Sequence, residues 1–570
     1  MNALDWFVLL GTMVGIAAYG TWRTRHTDNL NTYLKGSDTT KWGTIGISVM
    51  ATQASTITYL SLPGQAYENG IAFIQNYFGL PLALIVVCAV FLPIYRKLGV
   101  YTAYEYLGQR FDRKTRLLGA SLFLVQRGIQ AGITIYAPSI ILATVLGWSL
   151  ELTIVFTGLL AIVYTVTGGS AAVNLTQKLQ MGVIFGGMVT AFVVLLVKLP
   201  PDAFYIAGAF GKLEAVSYNP DLSQRYTIWS GLLGGFFLSL SYFGTDQSQV
   251  QRYLGGARLR EGRLGLMFNA LFKIPMQFGI VILGALLFVF YQSRPDTPVI
   301  FNRTQWERQV AGADGQRFRA LEEKHAAAHA QRQAAVRAWL DAADGGDATV
   351  VATTRTAVRA SQQQVDAVRK EAREALQTAD PSAKKTKDSD YVFITFVLTQ
   401  LPHGVIGLLL AVMFASALSS KAGELNALGT TTTIDLWRSI RPLAERDEPR
   451  NVRNAKWFTA LWGFFAIGFA LFVSFAENLI EALNIVASIF YPALLGVFVV
   501  AFFFKRVQGT AAFWGMIAAQ LAVLVIYFQG RIAYLWLNPI GCAACVLFSL
   551  ILQAVLGDGK KPAATAPSPR

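Results

Sequence analysis

The sequence predicts an all-α integral membrane protein with about 13 transmembrane helices. Of its 570 residues, 54% are hydrophobic and only 15% are charged, whereas a soluble domain carries about 25% charged residues. Apolar runs of the length needed to cross a bilayer core recur along most of the chain. The net charge of +15 would suggest nucleic acid for a soluble protein. Here the basic residues cluster between apolar runs, so we expect them to set membrane topology, with no nucleic-acid partner.

Each predicted span is a predominantly apolar segment close to the length of a bilayer-crossing helix. The spans are 5–22, 43–67, 72–95, 118–146, 150–168, 178–198, 228–250, 266–291, 391–425, 457–476, 482–504, 511–528 and 533–554. The first is expected to be retained rather than cleaved, because Met1 to Trp6 lack a basic stretch and include Asp5.

Loops rich in Lys and Arg alternate with loops that carry almost none. The basic loops are 23–41, 96–116, 252–263, 438–456 and 505–506. Because basic loops stay in the cytoplasm, we expect the N-terminus outside and the C-terminus inside a bacterial-type inner membrane.

A polar segment, residues 292–390, divides the spans into two groups and is expected on the outer side. Residues 1–291 hold spans 1–8, residues 391–556 hold spans 9–13, and residues 557–570 are expected to form a disordered cytoplasmic tail. We call residues 292–390 the insertion. It is predicted to form a soluble helical hairpin that offers a possible site for a protein partner.

Two helices are predicted within the insertion, at 305–343 and 349–378. Val351, Val358, Val365 and Ala372 recur at heptad spacing, which is typical of a coiled-coil seam between the two helices. His325 and His329 lie one turn apart. Without further ligands at suitable spacing, we interpret them as solvated surface residues rather than a metal site.

Polar residues inside predicted spans indicate function, because lipid disfavours them. They form three clusters: Ser48 to Thr58, followed by Pro63-Gly64; 239–252, which contains Asp246; and 416–430. The first two lie five spans apart, and interrupted helices at matching positions of two halves are typical of inverted-repeat transporters.

The third cluster places Ser416, Ser419 and Ser420 on one helix face. Their oxygens suit a small hard cation. The alternative is that they only support close helix packing.

At these clusters the chain resembles the sodium:solute symporter family, and the similarity extends over nearly all of it except the insertion. The matching motifs are ATQASTITYLSLPGQAYENG at 51–70, YTAYEYLGQRF at 101–111, Gly168-Gly169 with Thr176 and Gln180, GTDQSQVQR at 244–252 and ASALSSKAGELNAL at 415–428. The ITIYAP run at 133–138 is similar to the branch of monocarboxylate, vitamin and iodide carriers.

The resemblance implies a LeuT-type fold, a five-plus-five inverted repeat with extra helices at both ends. It also implies a Na⁺ site and a solute site beside the first helix break. The implied Na⁺ ligands are Ala51, Ala54, Ser416, Ser419 and Ser420. The implied solute-binding residues are Gln53, Thr58, Tyr77, Ser239, Tyr242, Lys273 and Asn484, with Tyr242 as an inner gating aromatic.

Three departures from the family pattern stand out. Tyr77, Thr58 and Ser239 stand where sugar carriers have Glu, Gln and Asn, which argues against hexose recognition. Gln177 stands where many members have an aspartate beneath the Na⁺ site. Lys421 follows the two serines directly, and we expect it to turn away from the ion and pair with Glu424.

The expected function is Na⁺-coupled import of a small polar organic solute by alternating access. Na⁺ is then the coupling ion, with no organic cofactor. The alternatives are a proton-coupled or sodium-independent exchanger of the same fold, or a transporter-like sensor or assembly module that uses the insertion. An enzyme is not expected, because the sequence has no P-loop, no zinc-ligand cluster and no nucleophile with a placed base.

Overall fold

The structure, a computed structural model, describes residues 1–23, 41–100, 102–254, 258–380, 387–440, 448–472 and 478–557. All regular secondary structure in these ranges is helical, as the sequence predicts. The predicted tail lies outside the described residues apart from Gly557.

The helices before the insertion are α1 Ala3–Arg23, α2 Trp42–Gln53, α3 Thr56–Asn69, α4 Leu80–Val86, α5 Leu92–Leu98, α6 Ala103–Arg110, α7 Arg113–Leu146, α8 Leu150–Lys198, α9 Ala203–Ala209, α10 Gly235–Thr245, α11 Gln247–Leu254 and α12 Leu259–Ser293. Those of the insertion are α13 Arg303–Val310, α14 Gly315–Gly345 and α15 Ala348–Ala379. The remainder are α16 Val392–Gln400, α17 Val405–Thr431, α18 Arg438–Ile440, α19 Glu448–Phe472, α20 Leu479–Phe503, α21 Gly509–Gln529 and α22 Leu537–Leu556.

Nine helical segments of the described chain are long and apolar enough to cross a membrane, and shorter apolar helices cover Ala3–Gly15 and Leu150–Val166. The protein is therefore a multi-pass membrane protein. The total of 13 spans stays a prediction.

Two predicted span boundaries are wrong. The loop expected at 169–177 is helical, because α8 runs without interruption from Leu150 to Lys198; good helix formers such as Ala171, Ala172 and Leu175 follow the Gly pair. The single span expected at 391–425 is divided into α16 and α17. Pro402 and Gly404, whose φ is +85°, end one helix before the next begins.

Two helices of the bundle are interrupted. The first consists of α2 and α3, separated at Ala54-Ser55, and the second of α10 and α11, separated at Asp246. Helix α17 packs against α1, α7, α8 and α19, and α12 packs against α2 and α3. Gly284 on α12 permits this approach, since a Cβ there would lie 2.3 Å from the carbonyl oxygen of Pro63.

The insertion contains the expected hairpin of α14 and α15, which pack against each other. Val358, Val365 and Ala372 of the heptad are buried. The helix predicted at 305–343 is divided, because a turn at residues 311–314 separates the short α13 from α14.

The interpretation of His325 and His329 as solvated is wrong, since they are only 3% and 2% exposed. Burial lowers the pKa of His325 to about 3 and that of His329 to about 4, so both are neutral near pH 7. No group of three or more potential metal ligands occurs in the part of the chain that the structure describes.

Candidate ion and solute site

The first interruption exposes backbone oxygens in the middle of the bundle. The Ala54 amide still donates to the Met50 carbonyl at 2.7 Å, but Ser55 is extended, with φ −73° and ψ 173°. The Thr58 amide then donates to Ser55 at 2.8 Å instead of to Ala54, as it would in a continuous helix. The Thr58 hydroxyl donates to the Gln53 carbonyl at 3.0 Å. The Thr58 side chain thus provides a hydrogen-bond donor for one backbone carbonyl at the interruption.

The five predicted Na⁺ ligands are all buried, and the structure brings the Ala51 carbonyl at this interruption into contact with the serines of α17. The Ser420 hydroxyl on α17 donates to the Ala51 carbonyl at 3.3 Å, a long hydrogen bond. The Ser419 hydroxyl lies 3.0 Å from the Ser416 carbonyl. We call Ala51, Ala54, Ser416, Ser419 and Ser420 the oxygen cradle. Neutral oxygens from two facing helices are a donor set that fits a small hard cation.

Gln180 contributes a further oxygen to this cradle, and the predicted set of Na⁺ ligands did not include it. Its Oε1 accepts from the Ser419 hydroxyl at 2.8 Å. Gln180 belongs to a motif that matches the family, and its position in an apolar span was a usable signal for an ion ligand.

Gln177 and Arg252 fill the space next to the cradle along α2. The Ser48 hydroxyl lies 2.9 Å from Gln177 Oε1 and 2.6 Å from Arg252 Nη1, and Arg252 Nη1 also donates to Gln177 Oε1 at 3.2 Å. Gly423 gives this guanidinium room, since a Cβ there would lie 2.2 Å from Arg252 Nη2. Gln177 therefore gives Arg252 a neutral hydrogen-bond partner, whereas the aspartate that many family members have at this position would give it an ion pair.

The second interruption centres on a carboxylate rather than on neutral oxygens. Asp246 is extended, with ψ 118°, and its Oδ1 accepts from the Ser248 amide at 2.8 Å. Its Oδ2 forms an ion pair with Arg127 of α7 and accepts from the Tyr491 hydroxyl at 2.6 Å. The predicted intramembrane aspartate is thus neutralised within the protein.

Three tyrosine hydroxyls donate to the backbone carbonyls that precede Asp246. Tyr253 donates to Phe243 at 2.8 Å, Tyr95 to Gly244 at 2.7 Å and Tyr104 to Thr245 at 2.7 Å. These short hydrogen bonds provide partners that the interrupted helix no longer supplies.

Lys421 turns away from the cradle, and its predicted ion pair with Glu424 is confirmed at 3.3 Å. Its ammonium also contacts the Ala131 carbonyl and the Thr134 hydroxyl of α7. Glu424 lies 3.5 Å from Arg127 Nη1. Asp246 and Glu424 therefore balance Arg127 and Lys421 in one buried network of two acids and two bases.

A central cavity of about 140 Å³ lies between the two interruptions. All seven residues predicted to bind solute line it: Gln53, Thr58, Tyr77, Ser239, Tyr242, Lys273 and Asn484. Thr52 and Ser55 line it as well, so the cavity adjoins the oxygen cradle. Whether these side chains bind a solute stays a prediction.

Tyr242 lies between the cavity and the second interruption. Its hydroxyl accepts from Gln249 Nε2 at 2.7 Å, and the Arg127 guanidinium lies 5.6 Å from its ring centroid. This position suits an aromatic gate, the role that the resemblance implies.

Lys273 has a different environment from the other intramembrane cations. It is 2% exposed, and its ammonium lies 5.6 Å from the Tyr77 ring centroid. No carboxylate of the described chain pairs with it, whereas Arg127 and Lys421 both have acidic partners. Lys273 is thus a buried basic group in the cavity wall that has no acidic partner among the described residues.

Sequence reasoning missed several residues that line the same cavity: Asn76, Arg127, Gln130, Thr134, Glu424 and Tyr491. Arg127 carried a signal, because an arginine within the apolar run 118–146 is costly in lipid. The others look like ordinary polar helix residues until the fold brings them together.

The sequence model of the sodium:solute symporter family matches residues 33–294 and 374–519, well over half of the chain. The chain belongs to the sodium:solute symporter family. This assignment confirms the resemblance, and most of the insertion lies outside the matched ranges. The family and the relatives named below are transporters rather than enzymes.

Two human relatives match about two fifths of the chain. The sodium/iodide cotransporter is 33% identical over 249 residues, 43% of this chain and 39% of the relative. Sodium-coupled monocarboxylate transporter 1 is 32% identical over 270 residues, 46% of this chain and 44% of the relative. The chain thus spans less than half the length of these two relatives.

A bacterial relative matches along nearly its whole length. The sodium/sialic acid symporter SiaT of Proteus mirabilis is 22% identical over 567 residues, 98% of this chain and 96% of the relative. A solved structure of a substrate-bound, outward-open Na⁺-coupled sialic acid symporter covers 98% of this chain with a TM-score of 0.72 at 22% identity. This similarity establishes a shared transporter fold.

Proposed function

We propose that this family member is a Na⁺-coupled symporter that imports a small organic anion by alternating access. Na⁺ would bind in the oxygen cradle, and the solute would bind in the central cavity with its negative charge toward Lys273. With basic loops in the cytoplasm, the insertion would face outward across an inner membrane.

The buried amine of Lys273, which has no acidic partner among the described residues, is the observation that carries the choice of an anion. A buried cation without a counter-charge is unfavourable, and an anionic solute supplies that charge on binding. The solutes named for three relatives agree in charge, since iodide, monocarboxylates and sialic acid are all anions. A neutral sugar would leave Lys273 unpaired.

Coupling follows if Na⁺ binds one conformation better than the other. An ion between α2 and α17 would hold these helices together, and both helices also border the solute cavity. The membrane potential adds about 2.3 kcal/mol per charge for each 100 mV to inward movement of Na⁺.

Uptake into proteoliposomes tests the proposal. Radiolabelled lactate and sialic acid are offered under an inward Na⁺ gradient with equal pH on both sides. We expect concentrative uptake of at least one anion, abolished when choline replaces Na⁺. Uptake that follows a pH gradient instead would favour the proton-coupled alternative.

The anion part of the proposal is tested with Lys273→Gln, and Lys198→Gln serves as a matched control on the bundle surface. Loss of one charge-assisted contact should weaken anion affinity about tenfold or more while ²²Na⁺ binding persists. Unchanged affinity in Lys273→Gln, or equal transport of neutral solutes, would contradict it.

A further inference from the structure

A second cavity, of about 350 Å³, lies between the insertion and the ends of the membrane helices. We call it the insertion pocket. Arg332 of α14 and Gln362, Asp366 and Arg369 of α15 line one part of it, and all four lie in the stretch that the family model does not match. The family match therefore does not cover this part of the pocket wall.

The carboxylates of the insertion pocket already have partners. Glu68 pairs with Lys387 at 2.9 Å, and Asp388 pairs with Arg369 at 3.7 Å. Asp366 accepts from Gln362 Nε2 at 2.9 Å.

Arg332 forms no ion pair within 4.0 Å in the described chain, although it is just 4% exposed and Asp366 attracts it from a longer distance. Its guanidinium donates to the Gln292 carbonyl at 3.3 Å, to Gln362 Oε1 at 3.4 Å and to His329 Nδ1 at 2.7 Å. Its Nε is buried with no hydrogen-bond partner among the described residues. Burial lowers the pKa of Arg332 to about 10, so the side chain remains charged near neutral pH.

Lys212 adds a second cation that forms no ion pair within 4.0 Å in the described structure, with Glu68 and Asp366 acting on it from a longer distance. Its ammonium donates to the Tyr67 and Glu68 carbonyls at 2.9 and 2.5 Å and lies 4.4 Å from the Phe288 ring centroid. Burial lowers the pKa of Lys212 to about 8.

Aromatic side chains form much of the remaining wall. Tyr67, Phe210, Phe288 and Phe301 line the pocket, and the Tyr67 ring lies 5.5 Å from the Phe301 ring and 5.7 Å from the Phe288 ring, centroid to centroid. Such faces suit the apolar body of an organic molecule, and the cations suit a carboxylate. We propose that the insertion pocket binds a small organic carboxylate through Arg332 and Lys212.

Binding of 4-fluorobenzoate to the full-length protein in nanodiscs tests this proposal by ¹⁹F NMR titration. The titration uses the Lys273→Gln background, so that the cation of the central cavity does not contribute. Arg332→Gln and Lys212→Gln should each weaken binding about tenfold or more, since each removes a charge-assisted contact. Arg337→Gln, an exposed substitution on the same helix, should leave binding unchanged.

Uncharged 4-fluorobenzamide should bind about tenfold or more weakly than the benzoate, because it lacks the carboxylate. If Arg332→Gln does not fold, binding to Lys212→Gln tests the proposal alone, since the Lys212 side chain is only partly buried. The proposal is overturned if 4-fluorobenzoate does not bind saturably to the Lys273→Gln protein. It is also overturned if, in that background, Lys212→Gln and Arg337→Gln bind it equally well.

Discussion

The two interrupted helices solve the same physical problem in opposite ways. At Asp246, three tyrosine hydroxyls and an internal ion pair satisfy the opened backbone and its charge. At Ala54-Ser55, the nearest donor to the Ala51 carbonyl is a serine hydroxyl at 3.3 Å. Because an unsatisfied carbonyl in a membrane is costly, this difference indicates which interruption has oxygens available for a mobile ion.

We call the second interruption the fixed joint, because its backbone carbonyls and its carboxylate have partners within the protein. We propose that the oxygens of the first interruption can exchange partners with an ion. A neutral cradle attracts a cation only when its oxygens are not committed to strong donors. A permanent internal cation would compete with Na⁺, and Lys421 avoids this by pairing with Glu424.

We expect the largest effect from removing Arg127, because Asp246 at the fixed joint then loses its positively charged partner. Arg127→Met leaves Asp246 buried without its cation, a loss of about 3–5 kcal/mol in the free energy of unfolding. The double variant Arg127→Met/Asp246→Asn should recover much of that loss.

Unfolding of the detergent-solubilised protein, followed by tryptophan fluorescence, measures this double-mutant cycle. Arg303→Met is the control, since its pair with Glu307 is exposed and contributes about 0–1 kcal/mol. Additive losses in the double variant would mean that the two buried side chains do not stabilise each other.

Removing the serine hydroxyls should affect ion binding more than stability. Ser419→Ala/Ser420→Ala deletes two oxygens of the cradle and should raise the half-saturating Na⁺ concentration about tenfold or more. Binding of ²²Na⁺ to the purified protein measures this without knowledge of the solute. Thr430→Ala is the matched control, because this buried hydroxyl on the same helix bonds only its own helix, at the Asn426 carbonyl. Equal Na⁺ affinity in the parent and the double variant would remove the serines from the ion site.

The parts of the site that the sequence predicted carry local signals. Hydroxylated residues inside an apolar span indicated an interrupted helix, and the spacing of Ser416, Ser419 and Ser420 indicated one oxygen-bearing face. Both features depend on residues close together in the chain. The Pro63-Gly64 pair, expected to break the helix, lies inside α3 instead.

The parts that sequence reasoning missed depend on distant residues. Tyr104 is 141 positions from Thr245, and Arg127 is 119 positions from Asp246, so no local pattern pairs them. In the insertion, the heptad predicted the seam between α14 and α15. Nothing in it predicted that Arg369 would donate to the Tyr67 hydroxyl at 3.1 Å and tie the hairpin to α3.

The smallest expected effect comes from Tyr104→Phe, which removes one donor from the fixed joint. The Thr245 carbonyl then loses a buried partner, which costs about 1–3 kcal/mol in the free energy of unfolding. Tyr106→Phe is the control, because its hydroxyl donates to the Ala501 carbonyl at 3.0 Å, away from Asp246. Both variants should unfold more easily, and both should bind ²²Na⁺ with the affinity of the parent. If Tyr104→Phe alone shifted Na⁺ affinity as far as the serine substitutions do, the second interruption would also be an ion site, and the contrast between the two would fail.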